Sequence, residues 1–174
     1  MRTIQTTVYT FAELSEQGKD NAVERLSDIN TSHTWYDFVY DDAKNMGMSI
    51  GGFDLDRGRS IDLEVDDYQE TANKIIKEHG EACDTYKNAV EFIKERTELV
   101  SKYSDGVNKE IVTEENEYDF DCELDELETE YKKTLEEDYL SMLRNEYEYL
   151  SSREAIIETI ECNEYEFTED GKLI

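Results

Sequence analysis

Few residues of this 174-residue chain have the type and spacing that enzyme chemistry needs. The two histidines, His33 and His79, belong neither to an HExxH motif nor to a cysteine pattern with metal spacing. His79 stands one residue before Gly80 at the predicted end of a helix, where a cation is favourable, so we interpret it as a capping residue. The sequence also contains no Walker loop and no GxGxxG turn. These absences favour a protein that is not an enzyme and uses no cofactor.

A carboxylate pair in the segment Asp-Leu-Asp-Arg-Gly, residues 54–58, resembles the start of a calcium loop. Arg57 and Arg59 interrupt the liganding order, however, and no bidentate Glu follows at the required distance. We therefore interpret Asp54 and Asp56 as residues that flank a β-turn, and we predict no metal site.

Three cysteines, Cys83, Cys122 and Cys162, are about forty residues apart and form no CxxC pair. This spacing indicates neither a zinc site nor a disulfide framework. We interpret the cysteines as reduced thiols and expect Cys83 and Cys162 to be core residues of helices.

Residues 1–10 lack the apolar core that a signal peptide has, and no run in the sequence approaches 18 apolar residues. We therefore expect a cytoplasmic protein that does not bind membranes.

The strongest chemical signal is negative charge, because the chain has a formal net charge of −27 and residues 110–130 contain eleven acidic residues and no Lys or Arg. Residues 110–174 carry 23 acidic and 5 basic residues, against 22 and 13 in residues 1–109. The twelve Tyr and six Phe argue for a folded protein with an acidic surface and against an acidic disordered tail. Such a field repels nucleic acids and membranes and attracts basic partners.

The density of the acidic block can be compared with that of a nucleic acid. As a helix, its charges would lie about 3 Å apart along the axis, and one strand of B-DNA presents a phosphate about every 3.4 Å. Tyr118, Phe120 and Tyr131 are interleaved with the acids, and aromatic residues are frequent anchors of interfaces. We predict that a basic partner contacts twelve carboxylates: Glu114, Glu115, Glu117, Asp119, Asp121, Glu123, Asp125, Glu126, Glu128, Glu130, Glu136 and Glu137.

Hydrophobic periodicity predicts a helix-rich α+β fold in a single domain, with a small antiparallel hairpin and a long acidic amphipathic helix. The apolar residues of the long helix recur at steps of three and four: Leu124, Leu127, Tyr131, Leu135, Tyr139, Met142, Leu143, Tyr147 and Leu150. Alternating apolar and acidic residues predict a hairpin at residues 48–65. We divide the domain, residues 1–174, into an α+β part at 1–109 and an acidic helical part at 110–174.

Local signals predict how the elements begin and end. Ser15 is the expected N-cap of the first helix, and Gly47 is the expected C′ residue of a helix that begins near Thr34. Gly58 is expected to supply a positive φ in the hairpin turn, and the pair Gly51-Gly52 suggests a β-bulge.

The two ends of the chain also carry signals. Residues 3–9 read as a strand, and residues 165–174 as a terminal hairpin. Ser151 and Glu154 have the spacing of a capping box before a short helix.

Several segments resemble a largely uncharacterised family of small acidic proteins from phages and mobile elements. They are residues 9–15 (YTFAELS), 35–42 (WYDFVYDD) and 52–58 (GFDLDRG), and the ending from 146–150 (EYEYL) through 163–168 (NEYEFT). That family has no assigned catalytic residues, so the resemblance implies no active site. It implies the setting of an infected or host bacterial cell, in which accessory genes encode inhibitors of host defence, including anti-restriction and anti-CRISPR proteins. Such inhibitors are frequently acidic and DNA-like.

Three functions remain open at this point. The first is a non-enzymatic inhibitor that blocks the basic DNA-binding channel of a defence nuclease, with an RNA-guided Cas nuclease as the first candidate. The second is an antitoxin-like or regulatory protein that neutralises a small basic partner. The third, an enzyme with an acidic metal site, has the least support because acidic pairs are too numerous here to be specific. We expect no direct binding of nucleic acid, and the sequence leaves a homo-oligomer open.

Overall fold

The computed structural model describes residues 7–104 and 117–174. These residues form two compact units. The terminal unit, named for its place in the sequence, contains the chain up to Tyr36 together with Arg144–Ile174, and the central unit contains Asp37–Leu143. This division differs from the predicted one at residue 109, and the single domain stays a prediction.

The described residues form six α-helices and four short strands. In chain order they are β1 (Tyr9–Thr10), α1 (Glu16–Arg25), α2 (Asp37–Met46), β2 (Met48–Asp54), β3 (Ser60–Val65), α3 (Tyr68–Glu78), α4 (Asp84–Tyr103), α5 (Glu117–Leu150), α6 (Arg153–Cys162) and β4 (Glu166–Phe167). A short 3-10 helix, Phe11–Glu13, follows β1. Of the described residues 63% are helical, which confirms the prediction of a helix-rich α+β fold.

The terminal unit is built around the antiparallel pair β1 and β4, in which Tyr9 is opposite Phe167. Phe11 and Phe167 pack edge to face beneath this pair, with ring centroids 6.3 Å apart. The core is completed by apolar residues of α1 and α6: Ala22, Val23, Ile156 and Ile160. Phe167 also bridges to Leu173 in antiparallel fashion, so the predicted terminal hairpin exists as a single bridge.

The predicted strand at the N-terminus is placed differently. The structure describes residues 7–9 of the predicted segment 3–9, and within them only Tyr9 is in a strand. Residues 3–6 lie outside the described residues, and residues 7 and 8 are not in a strand, which is a difference from the prediction. Strand β1 pairs with β4 near the other end of the sequence. Local propensity does not encode a partner about 150 residues away.

Serine side chains begin two helices of the terminal unit. Ser15 Oγ accepts a hydrogen bond from the Gly18 amide at 3.2 Å, which confirms the predicted N-cap of α1. For α6 the prediction is wrong by one residue, because Ser152 Oγ accepts from the Ala155 amide and Ser151 Oγ donates to the carbonyl oxygen of Tyr147. The third helical position is thus Ala155, which has no carboxylate to close a capping box.

The central unit contains the β2–β3 hairpin and four helices or parts of helices. The hairpin pairs Met48 with Val65 and Asp54 with Ser60, and its register shifts between Ile50 and Gly52, which confirms the predicted bulge. Met48, Ile61 and Leu63 are buried on one face. Helix α2 packs against β2, and α3 packs against α4.

The start of α2 and the hairpin turn differ from the predictions. Helix α2 begins at Asp37, three residues after Thr34. In the turn the positive φ belongs to Arg59, at 45°, and not to Gly58. At Gly47 the prediction is confirmed, because its φ is +90° at the end of α2.

Helix α5 confirms the predicted long amphipathic helix, but its buried stripe is shorter than the sequence pattern. Only Tyr131, Leu135, Tyr139 and Leu143, at steps of four, are fully buried. The predicted stripe positions on either side are half-buried or, at Tyr147, 42% exposed. Helices α4 and α5 run antiparallel, since Asn88 contacts Asp138, Phe92 stacks on Tyr131, and Tyr103 packs on Phe120.

Candidate functional site

Four of the predicted partner-binding acids line the outer side of α5. Asp119, Glu126, Glu130 and Glu137 are all exposed. They follow one another at steps of seven, four and seven residues, which places them on one side of a helix with 3.6 residues per turn. At about 1.5 Å per residue the row is roughly 27 Å long. We call these four residues the acidic ridge.

The acidic ridge is not neutralised by its neighbours. Among the residues that the structure describes, none of its four carboxylates belongs to a salt bridge. Lys133 is exposed on the same side of the helix and is one basic residue beside four acids. The ridge therefore offers free carboxylates to a partner, and each exposed contact contributes about 1 kcal/mol or less.

Three other predicted acids already have interactions within the protein. Glu123 accepts hydrogen bonds from Lys102 Nζ at 2.7 Å and from the Tyr103 hydroxyl at 2.8 Å, and these bonds lower its pKa. Glu136 lies 3.6 Å from Lys132 Nζ. Glu128 is half-buried, and burial raises its pKa, although Arg96 acts in the opposite direction. Glu123 and Glu136 therefore already have lysine partners within the protein. The charged form of Glu128 is disfavoured by its burial.

The remaining predicted acids divide between exposed and undescribed positions. Glu117, Asp121 and Asp125 are exposed on α5. By helical geometry Asp121 and Asp125 lie on a different flank from the acidic ridge. Glu114 and Glu115 lie outside the described residues. The sequence treated all twelve acids as one surface, whereas the helix separates them by side.

The aromatic residues within the acidic block have three different environments. Tyr118 is 79% exposed and remains a candidate contact residue. Phe120 packs on Tyr103 with ring centroids 6.1 Å apart. Tyr131 is only 4% exposed and stacks on Phe92, so it is a core residue, and its prediction as an interface anchor is wrong. A tyrosine at helical spacing packs inward when the neighbouring helix presents an aromatic ring.

A second acidic row on α4 was not predicted. Glu91, Glu95 and Glu98 are exposed at steps of four and three residues, and α4 runs beside α5. A cleft of about 220 Å³ lies between the two helices, and both Glu95 and Glu130 line it. The signal was present in the sequence as helical spacing of acids, but only the packing of α4 on α5 joins this row to the ridge.

The histidine interpreted as a capping residue also holds a buried polar cluster. His79 occupies the C-cap position of α3, and its backbone amide donates to the carbonyl oxygen of Ile75. Its Nδ1 lies 2.8 Å from Thr85 Oγ1, and its Nε2 lies 3.3 Å from Asp42 Oδ1 without good hydrogen-bond alignment. The Tyr139 hydroxyl donates to Asp42 Oδ2 at 2.6 Å. Thr85 and Tyr139 are buried, so their hydroxyl groups are not accessible to a substrate.

The hairpin residue Asp54 has a structural role. Asp54 accepts hydrogen bonds from the amides of Asp56, Arg57 and Gly58 and so closes the hairpin turn.

All three cysteines are exposed, so the prediction that Cys83 and Cys162 are core residues is wrong. Cys83 is the N-cap of α4, and Cys162 is the last residue of α6. Across residues 7–104 and 117–174, no group of three or more His, Cys, Asp or Glu side chains is arranged to hold a metal ion.

Comparison with protein-family models, with curated proteins and with solved structures found no match for this chain. None of the described helices is both long enough and apolar enough to cross a membrane.

Proposed function

We propose that this protein is a non-enzymatic inhibitor of a host defence nuclease and that it acts as a mimic of DNA. Its acidic ridge would occupy the Arg- and Lys-lined channel in which the nuclease holds nucleic acid. An RNA-guided Cas nuclease is the first candidate, because such enzymes hold DNA through basic grooves that read shape and charge. The setting is the cytoplasm of a bacterial cell.

The observation that carries this proposal is the acidic ridge itself. Four exposed carboxylates extend over roughly 27 Å on one rigid helix. A rigid surface loses little conformational entropy when it binds, so weak individual contacts accumulate. The net charge of −27 adds a long-range field that accelerates encounter with a basic protein.

A second candidate is an antitoxin-like or regulatory protein that neutralises a small basic partner. The same ridge supports this alternative, because charge complementarity does not specify the size of the partner. Affinity capture from bacterial cells that carry candidate defence systems separates the two. Recovery of a large nuclease complex favours the inhibitor, and recovery of a small basic protein favours the alternative.

The direct test is to reverse the charge of the acidic ridge. We expect the quadruple variant Asp119→Lys, Glu126→Lys, Glu130→Lys and Glu137→Lys to lose at least about a hundredfold in affinity for the captured nuclease, since each contact contributes up to about 1 kcal/mol. The variant should also stop competing with DNA in a gel-shift assay. Its fold should survive, because all four side chains are exposed.

A matched control changes the net charge by the same amount elsewhere. Glu24, Glu158, Glu161 and Glu169 are exposed in the terminal unit, and within the described residues they form no salt bridge. Their replacement by Lys should leave most of the inhibition intact. Equal loss in both variants would mean that only net charge matters, and a folded ridge variant that still inhibits would refute the proposal.

A further inference from the structure

We draw no further inference here: the strongest candidate, the side-chain cluster of His79 with Asp42, Thr85 and Tyr139 that joins α2, α3, α4 and α5, has its hydroxyl groups buried, and nothing in the described residues shows a ligand that reaches it.

Discussion

Asp54 illustrates, at the scale of single residues, how one carboxylate can resemble a metal ligand and act as a turn residue. Its Oδ1 accepts from the amides of Asp56 and Arg57 at 2.8 and 3.2 Å, and its Oδ2 accepts from Gly58 at 3.1 Å. These three bonds favour the ionised form and lower the pKa of Asp54. Both carboxylate oxygens are thus engaged by the backbone of the turn, and a cation would have to compete with it.

Replacement of Asp54 by Asn should lower the melting temperature at pH 7. An Asn side chain offers one carbonyl oxygen to amides that now use two oxygens, and its NH₂ group cannot accept from Gly58. Because the pKa of Asp54 is lowered in the folded state, the stability that its ionised form adds is present above about pH 4 and is lost as pH falls through the folded pKa. The difference between the two proteins should therefore disappear in acid.

The control for this experiment is Asp56→Asn. The Asp56 carboxylate is exposed, and within the described residues it makes no hydrogen bond, so its replacement should leave the melting temperature unchanged. Differential scanning fluorimetry across pH compares the three proteins. Equal melting temperatures for the Asp54 and Asp56 variants would contradict the role given to Asp54.

At the scale of elements, the C-terminal turn is held directly against α1. Gly171 has a φ of +78°, and a Cβ atom built there would overlap the backbone of Gly18 and Ala22. Nearby, Arg25 and Asn21 of α1 both donate to the carbonyl oxygen of Asp170. This contact explains why a glycine follows Asp170: both the positive φ and the close approach exclude a side chain.

We expect Gly171→Ala to destabilise the protein by about 1–3 kcal/mol, the range for a non-glycine residue at positive φ combined with overpacking. Gly52→Ala is the matched control, because a Cβ there would meet nothing within 4 Å. That control should be neutral or slightly stabilising. Chemical denaturation measures both, and a Gly171→Ala variant as stable as the parent would contradict the close approach of the turn to α1.

At the scale of the whole molecule, 45 acidic residues against 18 basic ones make self-repulsion the main electrostatic term. Only some acids are relieved by partners, such as Glu123 with Lys102 and Asp170 with Arg25. Others are penalised, because burial raises the pKa of Glu128 and Asp138. Stability should therefore respond to both salt and pH.

We predict that the melting temperature rises with NaCl between about 0.01 and 0.5 M, because screening shortens the range of the repulsion. It should also rise as pH falls from 7 to about 5. Glu128 and Asp138 have raised pKa values, so the folded state takes up protons more readily than the unfolded chain. Below about pH 4 the trend should reverse, since the lowered pKa values of Asp54, Glu123 and Asp170 mark stability that protonation removes.

A grid of melting temperatures across salt and pH checks this expectation. A flat response would mean that the carboxylates are already balanced by bound cations or by one another. A fall in melting temperature with added salt would mean that attractive pairs outweigh the repulsion.

The sequence by itself determined the features that depend on neighbours along the chain. The spacing of apolar residues defined α5, alternation defined the β2–β3 hairpin, and Ser15 and Gly47 marked the ends of helices. The concentration of charge was also evident without a structure. Each of these signals arises from helical or strand periodicity or from local hydrogen bonds, which need no distant partner.

Only the tertiary structure decided the environment of each described side chain of the acidic block, from Glu117 to Glu130. The packing of α4 on α5 buried Tyr131, engaged Glu123 with Lys102, and left the acidic ridge free. It also brought Glu95 beside Glu130 across a cleft, and the fold paired β1 with β4 from opposite ends of the chain. These outcomes depend on contacts between residues far apart in sequence, and neither periodicity nor composition contains that information.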